Sequence, residues 1–396
     1  MHQRQLFLQH VAQTSNSPLM LEIERADGYY LFGNDGKKYI DLISGIAVAN
    51  IGHNHPAVKN AIHQQVDHYM HIMVYGEFVE TPQVQYAQWL TEHLPEHLNS
   101  VYFTNAGSEA VEGALKLARR FTGRSEIISF KNAYHGSTMG ALSTGNNEER
   151  KNAFRPLIPD NRVMDYNDFD QLKFITEKTA CVLIEAVQAE AGVILPEEGF
   201  LSAVQKRCNE TGALLMLDEC QTGFGRTGNL FAFQKFNISP DVLILGKALG
   251  GGMPLGAFIS DKKIMDAFTA HPMLGHITTF GGHPVCCAAG LAAARVLTET
   301  GMMDVVNERS AMLAAELVHP KIKAVRHCGF MMAVEFHSME FNFAVNKKLI
   351  ETGVLTDWFL FAPECLRIAP PLMIDAAGID VAGRAILNAI KAVSPA

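Results

Sequence analysis

At 396 residues, 48% hydrophobic and 19% charged, the chain is too long for one small domain and has the make-up of a soluble globular protein. A formal net charge of −8, with no basic tract to offset it, excludes nucleic acid as the main partner. The apolar runs are short and broken by Gly, Pro or charge, which excludes a bilayer-spanning segment. The opening MHQRQLFLQHVAQ lacks the charged-then-apolar order of a secretory signal, so a cytoplasmic protein is expected. Next, GYYLFGNDGKKYIDLISG places the turn Asn34-Asp35-Gly36 between two apolar runs, which predicts a β-hairpin. GHNHP from Gly52 lies in a turn with no HExxH beside it, and no metal is expected there.

Short aliphatic runs then alternate with helical patterns. VYFT at Val101, EIISF at Glu126, CVLIEA at Cys181, ALLMLDE at Ala213, VLILG at Val242 and GAFIS at Gly256 read as strands. Those at Cys181, Ala213 and Val242 are apolar on consecutive positions, as buried parallel strands are. SEAVEGALKLARRF puts Val111, Ala114, Leu115, Ala118 and Phe121 on one helical face, and PEEGFLSAVQKRCNET from Pro196 reads as another helix. The architecture predicted is α/β with a mostly parallel sheet. The opening segment and the mixed tail are expected to form a smaller domain together (1–45 and 291–396), leaving 46–290 as the large domain. Seven cysteines, odd in number and without a CxxC pair, read as reduced thiols in a cytosolic protein.

Three stretches carry chemistry. In FTNAGSEA a strand ends at Thr104, and Ala106, Gly107 and Ser108 lead straight into a helix whose free N–H groups, with the Ser108 hydroxyl, suit an anion. Taken alone, it is equally an ordinary strand–loop–helix turn. In LLMLDECQTGFGRTG a buried strand carries Asp218 to its C-terminal end, where open sheets place ligands. Gly223, Gly225 and Gly228 match GxGxxG, but the aromatic NLFAFQKF that follows does not open a crossover helix, so a dinucleotide site is rejected. In DVLILGKALGGG, Lys247 ends an apolar strand, where a poorly solvated amine suits a Schiff base and three glycines allow close approach of a ring. An anion cradle, an acid at a strand tip and then a lysine, in that order, are what pyridoxal 5'-phosphate needs.

The motifs NAGSEA, AYHG, DECQTGFGRTG, PDVLILGKALGGG and TTFGGHP sit in a chain that resembles the class III aminotransferases from DGYYLFGNDGKKYIDL to LRIAPPLMI. This pyridoxal-phosphate family includes ornithine, acetylornithine and 4-aminobutyrate aminotransferases. The resemblance implies a fold-type-I transferase, with a mostly parallel seven-stranded sheet in the large domain and a smaller α/β domain. It implies a homodimer with the site at the subunit interface. It makes Lys247 the Schiff-base residue and proton carrier, and Asp218 the partner of the ring nitrogen. Gln221 falls near the phenolic oxygen, Tyr134 on a ring face, and His135 and Glu185 about the cofactor. Ala106, Gly107 and Ser108 hold phosphate, joined by Thr279 from the partner subunit. Glu190 and Arg367 form a switch: Glu190 neutralises Arg367 when the donor is an ω-amine and yields it to the carboxylate of a 2-oxo acid.

Departures from the family pattern bear on substrate. Ser137 stands where ornithine and acetylornithine aminotransferases carry an arginine for the far carboxylate. A neutral hydrogen bond contributes about 1 kcal/mol against roughly 1.5–3 for a charged one, which speaks against those donors and against 2-oxoglutarate. Tyr75 and Glu77 occupy the donor-pocket region, where an acid suits a cationic distal group such as that of a diamine; Glu77 reads equally as a surface acid. Cys220 replaces the usual Val or Ile under the ring, Ala186 a proline and His283 an asparagine. The reaction expected is ping-pong transfer from an ω-amino acid or diamine to a 2-oxo acid. The alternatives are a decarboxylase, racemase or aminomutase of the same fold, or an inactive cofactor-binding scaffold.

Overall fold

The consecutive apolar runs occupy the middle of a seven-stranded sheet in the computed structural model, which describes residues 3–394. The strand order is Ser100–Thr104, Gly256–Ser260, Val242–Leu245, Leu214–Asp218, Thr179–Ile184, Glu126–Phe130 and Asn161–Met164. Gly256–Ser260 runs antiparallel to both neighbours and the remaining pairings are parallel. Every residue of Thr179–Ile184, Leu214–Asp218 and Val242–Leu245 is buried, because helices cover both faces of a sheet of this kind. The edge strand Asn161–Met164 went unanticipated: its NRVM sequence is only partly buried and has no apolar run to announce it.

The helix Gly107–Thr122 lays Ala110, Val111, Ala114, Leu115, Leu117 and Ala118 against the sheet and ends on Gly123, whose φ of 69° forms a left-handed cap. Phe121 departs from the expected face. It is 47% exposed, because it falls in the last turn, beyond the residues that pack over the rest of the helix. The helix expected from Pro196 begins later, as Phe200–Thr211, since Gly199 at φ 80° turns the chain first.

Two four-stranded sheets make the smaller domain. The hairpin of Tyr30–Gly33 and Lys38–Asp41 is flanked by Ile23–Asp27 and, in parallel, by Val354–Leu355, which ties the N-terminal segment to the C-terminal part. The other sheet runs Ala324–Cys328, Met331–Glu335, Ala362–Ile368 and Trp358–Phe359. The long helix Pro284–Glu299 runs unbroken through position 290. In GHNHP, His53 pairs with Asp41 at 2.7 Å, while the His55 ring accepts from Ala57 N–H and caps the helix Pro56–His68. Gly225 lies at φ 84°, and a Cβ there would meet Leu372 and Met303, so the glycines after Asp218 serve close packing of a turn rather than a helix start. Among the described residues no helix is long and apolar enough to cross a membrane.

Candidate active site

Parallel strands end on the same edge, so the segments following Thr104, Asp218 and Leu245 converge around one sulfur. A Cβ on Gly107 would lie 2.8 Å from Cys220 Sγ and one on Gly246 3.1 Å from it. This close approach brings the start of the helix Gly107–Thr122, Asp218 and Lys247 to one place. Lys247 has φ 48°, a region that non-glycine residues occupy only where the surroundings over-determine it. Among the described residues its ammonium has no hydrogen bond or ion pair, although its charge acts on both Asp218 and Cys220. At the helix start, Ala106 provides no side-chain cap, which leaves first-turn N–H groups facing outward.

Two acids here are driven apart. Burial raises the Asp218 carboxyl, but the hydrogen bond and charge of His135, the Cys220 N–H and the charge of Lys247 outweigh it and hold the group below its ordinary value. His135 Nδ1 lies 2.7 Å from Asp218 Oδ2, and Cys220 N–H donates to Oδ1 at 3.0 Å. Glu185, equally enclosed, is pushed well above the usual carboxyl range by burial and by the nearby Asp218 charge, against the Ala189 and Tyr134 N–H bonds. The two neighbouring carboxyls are thus shifted in opposite directions.

Glu190 and Arg367 meet as a planar fork, with both guanidinium NH groups 3.0 Å from the two carboxylate oxygens. Gln221 donates to Glu190 Oε1 at 2.9 Å and Leu360 N–H to Oε2 at 3.0 Å. Burial works against the Glu190 charge, but Arg367 prevails and the carboxyl stays low. Asp357, which the sequence did not single out, accepts from Arg367 Nε at 2.7 Å. Burial carries its pKa up to about 6 against the pull of Arg367. The hairpin between Trp358–Phe359 and Ala362–Ile368 brings this acid to an arginine ten residues on, and no motif signals it.

The loop before this pair is held on the helix start. A Cβ on Gly136, at φ 131°, would lie 2.5 Å from that of Ser108, and Glu112 accepts from the N–H groups of Gly140 and Ala141. Half-buried Tyr134 shares a 3.0 Å hydroxyl contact with exposed Ser137. Tyr75, Glu77 and Thr279 stand apart from this group. Glu77 and Thr279 are exposed, and Tyr75 lines a small cavity with Thr278 and Gly281 by the strand Ser100–Thr104.

These residues fit pyridoxal phosphate. The amine is unpaired, the adjoining carboxylate is ionised, the helix start is uncapped, and His135 Nε2 is buried without a partner.

The family model for aminotransferase class III matches residues 11–390. The acetylornithine aminotransferase of Methanopyrus kandleri is 39% identical over 92% of this chain and 93% of that protein. That of Bacillus subtilis is 37% identical over 89% and 91%. The crystal structure of the ornithine aminotransferase from Toxoplasma gondii ME49 superposes with TM-score 0.92 at 28% identity, covering 98% of this chain and 94% of that one. An (S)-enantioselective omega-transaminase from Thermomicrobium roseum gives 0.91 at 26% identity, with both chains fully covered.

Proposed function

Since the chain belongs to the class III aminotransferases, enzymes dependent on pyridoxal phosphate, we propose that it moves an amino group from an ω-amino acid or diamine to a 2-oxo acid in two half-reactions at one site. When bound, the cofactor supplies an aldehyde for the amine and a ring that takes up electrons. Lys247 Nζ would be the amine for covalent attachment and, once the substrate amine has displaced it, the base that takes the proton from the substrate carbon. Asp218, kept ionised by His135 and the Cys220 N–H, offers a fixed negative charge to a ring cation. The first turn at Gly107 and Ser108 takes the phosphate, with Ala106 as its uncapped entry. Tyr134, Glu185 and Gln221 would flank the ring.

The observation that carries the two-substrate reading is the Glu190–Arg367 fork. With an ω-amine in the site no carboxylate lies near the reacting carbon, and Glu190 keeps Arg367 neutralised. A 2-oxo acid brings a carboxylate that replaces Glu190 on the same fork, while Asp357 still holds Nε and keeps the guanidinium plane in place. A donor panel tests this: ornithine, acetylornithine, lysine, putrescine, 4-aminobutyrate and β-alanine against pyruvate and 2-oxoglutarate. Turnover of at least one ω-amine with a 2-oxo acid is expected, and Glu190→Gln is expected to slow the ω-amine half-reaction selectively. Activity confined to α-amino donors contradicts the proposal.

The proposal extends to a homodimer in which Thr279, Tyr75 and Glu77 face the partner's site. Thr279 and Glu77 are exposed, and so are their neighbours in the chain Met73, Phe78, Val79 (91%), Met273, Ile277 and Phe280, apolar side chains that a partner subunit would cover. Sedimentation velocity should give a dimer, and Phe280→Asp should release monomer. We take 46–290 as the cofactor-binding domain and 1–45 with 291–396 as the small domain, the helix Pro284–Glu299 forming the joint; limited proteolysis checks the division. Seven unpaired cysteines, six of them buried, support a reducing, cytoplasmic setting, which cell fractionation checks.

A further inference from the structure

We propose that Asp357 sets the affinity for the acceptor: it restricts Arg367 to one carboxylate taken end-on, and its own negative charge weakens the hold on that carboxylate. The inference rests on the two-substrate reading and adds to it a control on the acceptor half alone.

The hairpin around Arg367 occupies one edge of its guanidinium completely. Nε donates to Asp357 Oδ1 at 2.7 Å, and Nη2 donates to the Trp358 carbonyl at 3.1 Å. The Phe359 ring centroid lies 4.4 Å from the guanidinium carbon and covers one face. Asp357 is itself fixed by the strand pairing, since its carbonyl accepts the Arg367 N–H at 2.9 Å and the Thr356 hydroxyl donates to the Arg367 carbonyl. The remaining edge, Nη1 with Nη2, faces the Glu190 carboxylate at 3.0 Å from each nitrogen. When Glu190 gives way, that edge is the one that opens. A planar fork blocked along its Nε side accepts a carboxylate in one orientation, end-on.

The second consequence is electrostatic. One cation faces two carboxyls, and an incoming acceptor replaces Glu190 but leaves Asp357 in place. The substrate carboxylate therefore meets a like charge across the guanidinium. The charged groups around half-buried Asp357 are Arg367 on the facing strand, Glu190 from the large domain, and Asp41 of the strand Lys38–Asp41, which is paired with His53. Burial raises the Asp357 carboxyl, Arg367 pulls it down, Glu190 and Asp41 push it up, and it settles at about 6. Above that pH Asp357 is an anion and opposes the acceptor. As pH falls through it the carboxyl takes up a proton, the opposition ends, and the uncharged group still offers Nε an oxygen. Acceptor binding should therefore tighten toward acid pH. In the amine half Glu190 stays on the fork, and no substrate anion faces Asp357.

The test compares wild-type and Asp357→Asn holoenzyme, a variant that keeps an oxygen for Nε and loses the charge. Oxamate, a pyruvate isostere with an unreactive amide, is titrated calorimetrically from about pH 8 to about pH 5, and KM is measured for pyruvate and for the best donor of the panel. Removal of a like charge across a guanidinium predicts that the variant binds oxamate about three- to tenfold more tightly near pH 7.5, with KM for pyruvate falling more than KM for the donor. The gap in oxamate affinity should shrink as pH falls through about 6, because wild-type protein tightens there and the variant does not. Asp357→Ala, which leaves Nε without an acceptor, should lose the gain. The proposal is overturned if wild-type protein fails to bind oxamate or does not tighten toward acid pH, if Asp357→Asn binds it equally or more weakly, if the gap is independent of pH, or if both KM values move together. Oxamate binding needs no turnover, so the transaminase reading stands or falls separately on the donor panel.

Discussion

Lys247→Ala is expected to lower turnover by at least about a thousandfold, the largest effect of any substitution in this chain. On the proposed mechanism two roles would vanish with one nitrogen: covalent attachment of the cofactor and proton transfer at the substrate carbon, the latter alone contributing about 10²–10⁴-fold. The side chain is half-buried and has no hydrogen bond or ion pair among the described residues, so its truncation breaks no structural contact of that kind. The unfolding temperature should change little. Reduction with borohydride followed by mass spectrometry of the intact chain gives the decisive readout. Wild-type protein should gain the mass of the cofactor, and Lys247→Ala should not. Covalent cofactor on the variant would mean that another amine forms the link and would remove Lys247 from the mechanism.

The next largest effect is expected from Asp218→Asn, a substitution that keeps shape while removing the charge. A preorganised charge aimed at the reacting group is worth about 10²–10³-fold, and kcat should fall by that amount while reduction still links the cofactor to Lys247. That split separates loss of the ring's cationic state from loss of cofactor. The same carboxylate acts on stability. Burial raises its pKa, but the His135 bond and charge, the Cys220 N–H and Lys247 bring it below the ordinary value. A folded pKa below the unfolded value of about 3.9 means that the ionised group stabilises the fold above that pH and ceases to do so as pH falls through the folded value. Wild-type protein should therefore unfold at a higher temperature than Asp218→Asn near pH 7, and the gap should close below about pH 4. A pH-independent gap in thermal melts would contradict the assignment.

Lys247, Asp218 and the Gly107–Ser108 turn were legible because each stands at the end of an apolar run that can only be a buried strand. A strand period and a sheet direction suffice to put such residues on one edge. Glu190 and Arg367 were legible only through resemblance, since a glutamate after a strand and an arginine 177 residues later share no local pattern. Asp357 was not legible at all. Asp357 reaches Arg367 across a hairpin of irregular register. The strand Asn161–Met164 was missed for a simpler reason, as an edge strand needs no continuous apolar sequence.

By itself the sequence determined the α/β class, the buried strands and the order of anion cradle, acid and lysine, because burial on both faces and strand-end polarity are written in local composition. Tertiary structure alone decided the ionisation of the acids and the partners of Arg367. A carboxyl's proton affinity depends on what surrounds it in space: Asp218 is drawn below its ordinary value by His135 83 residues away, and Glu185, 33 positions before Asp218, is pushed up by its burial and by that charge.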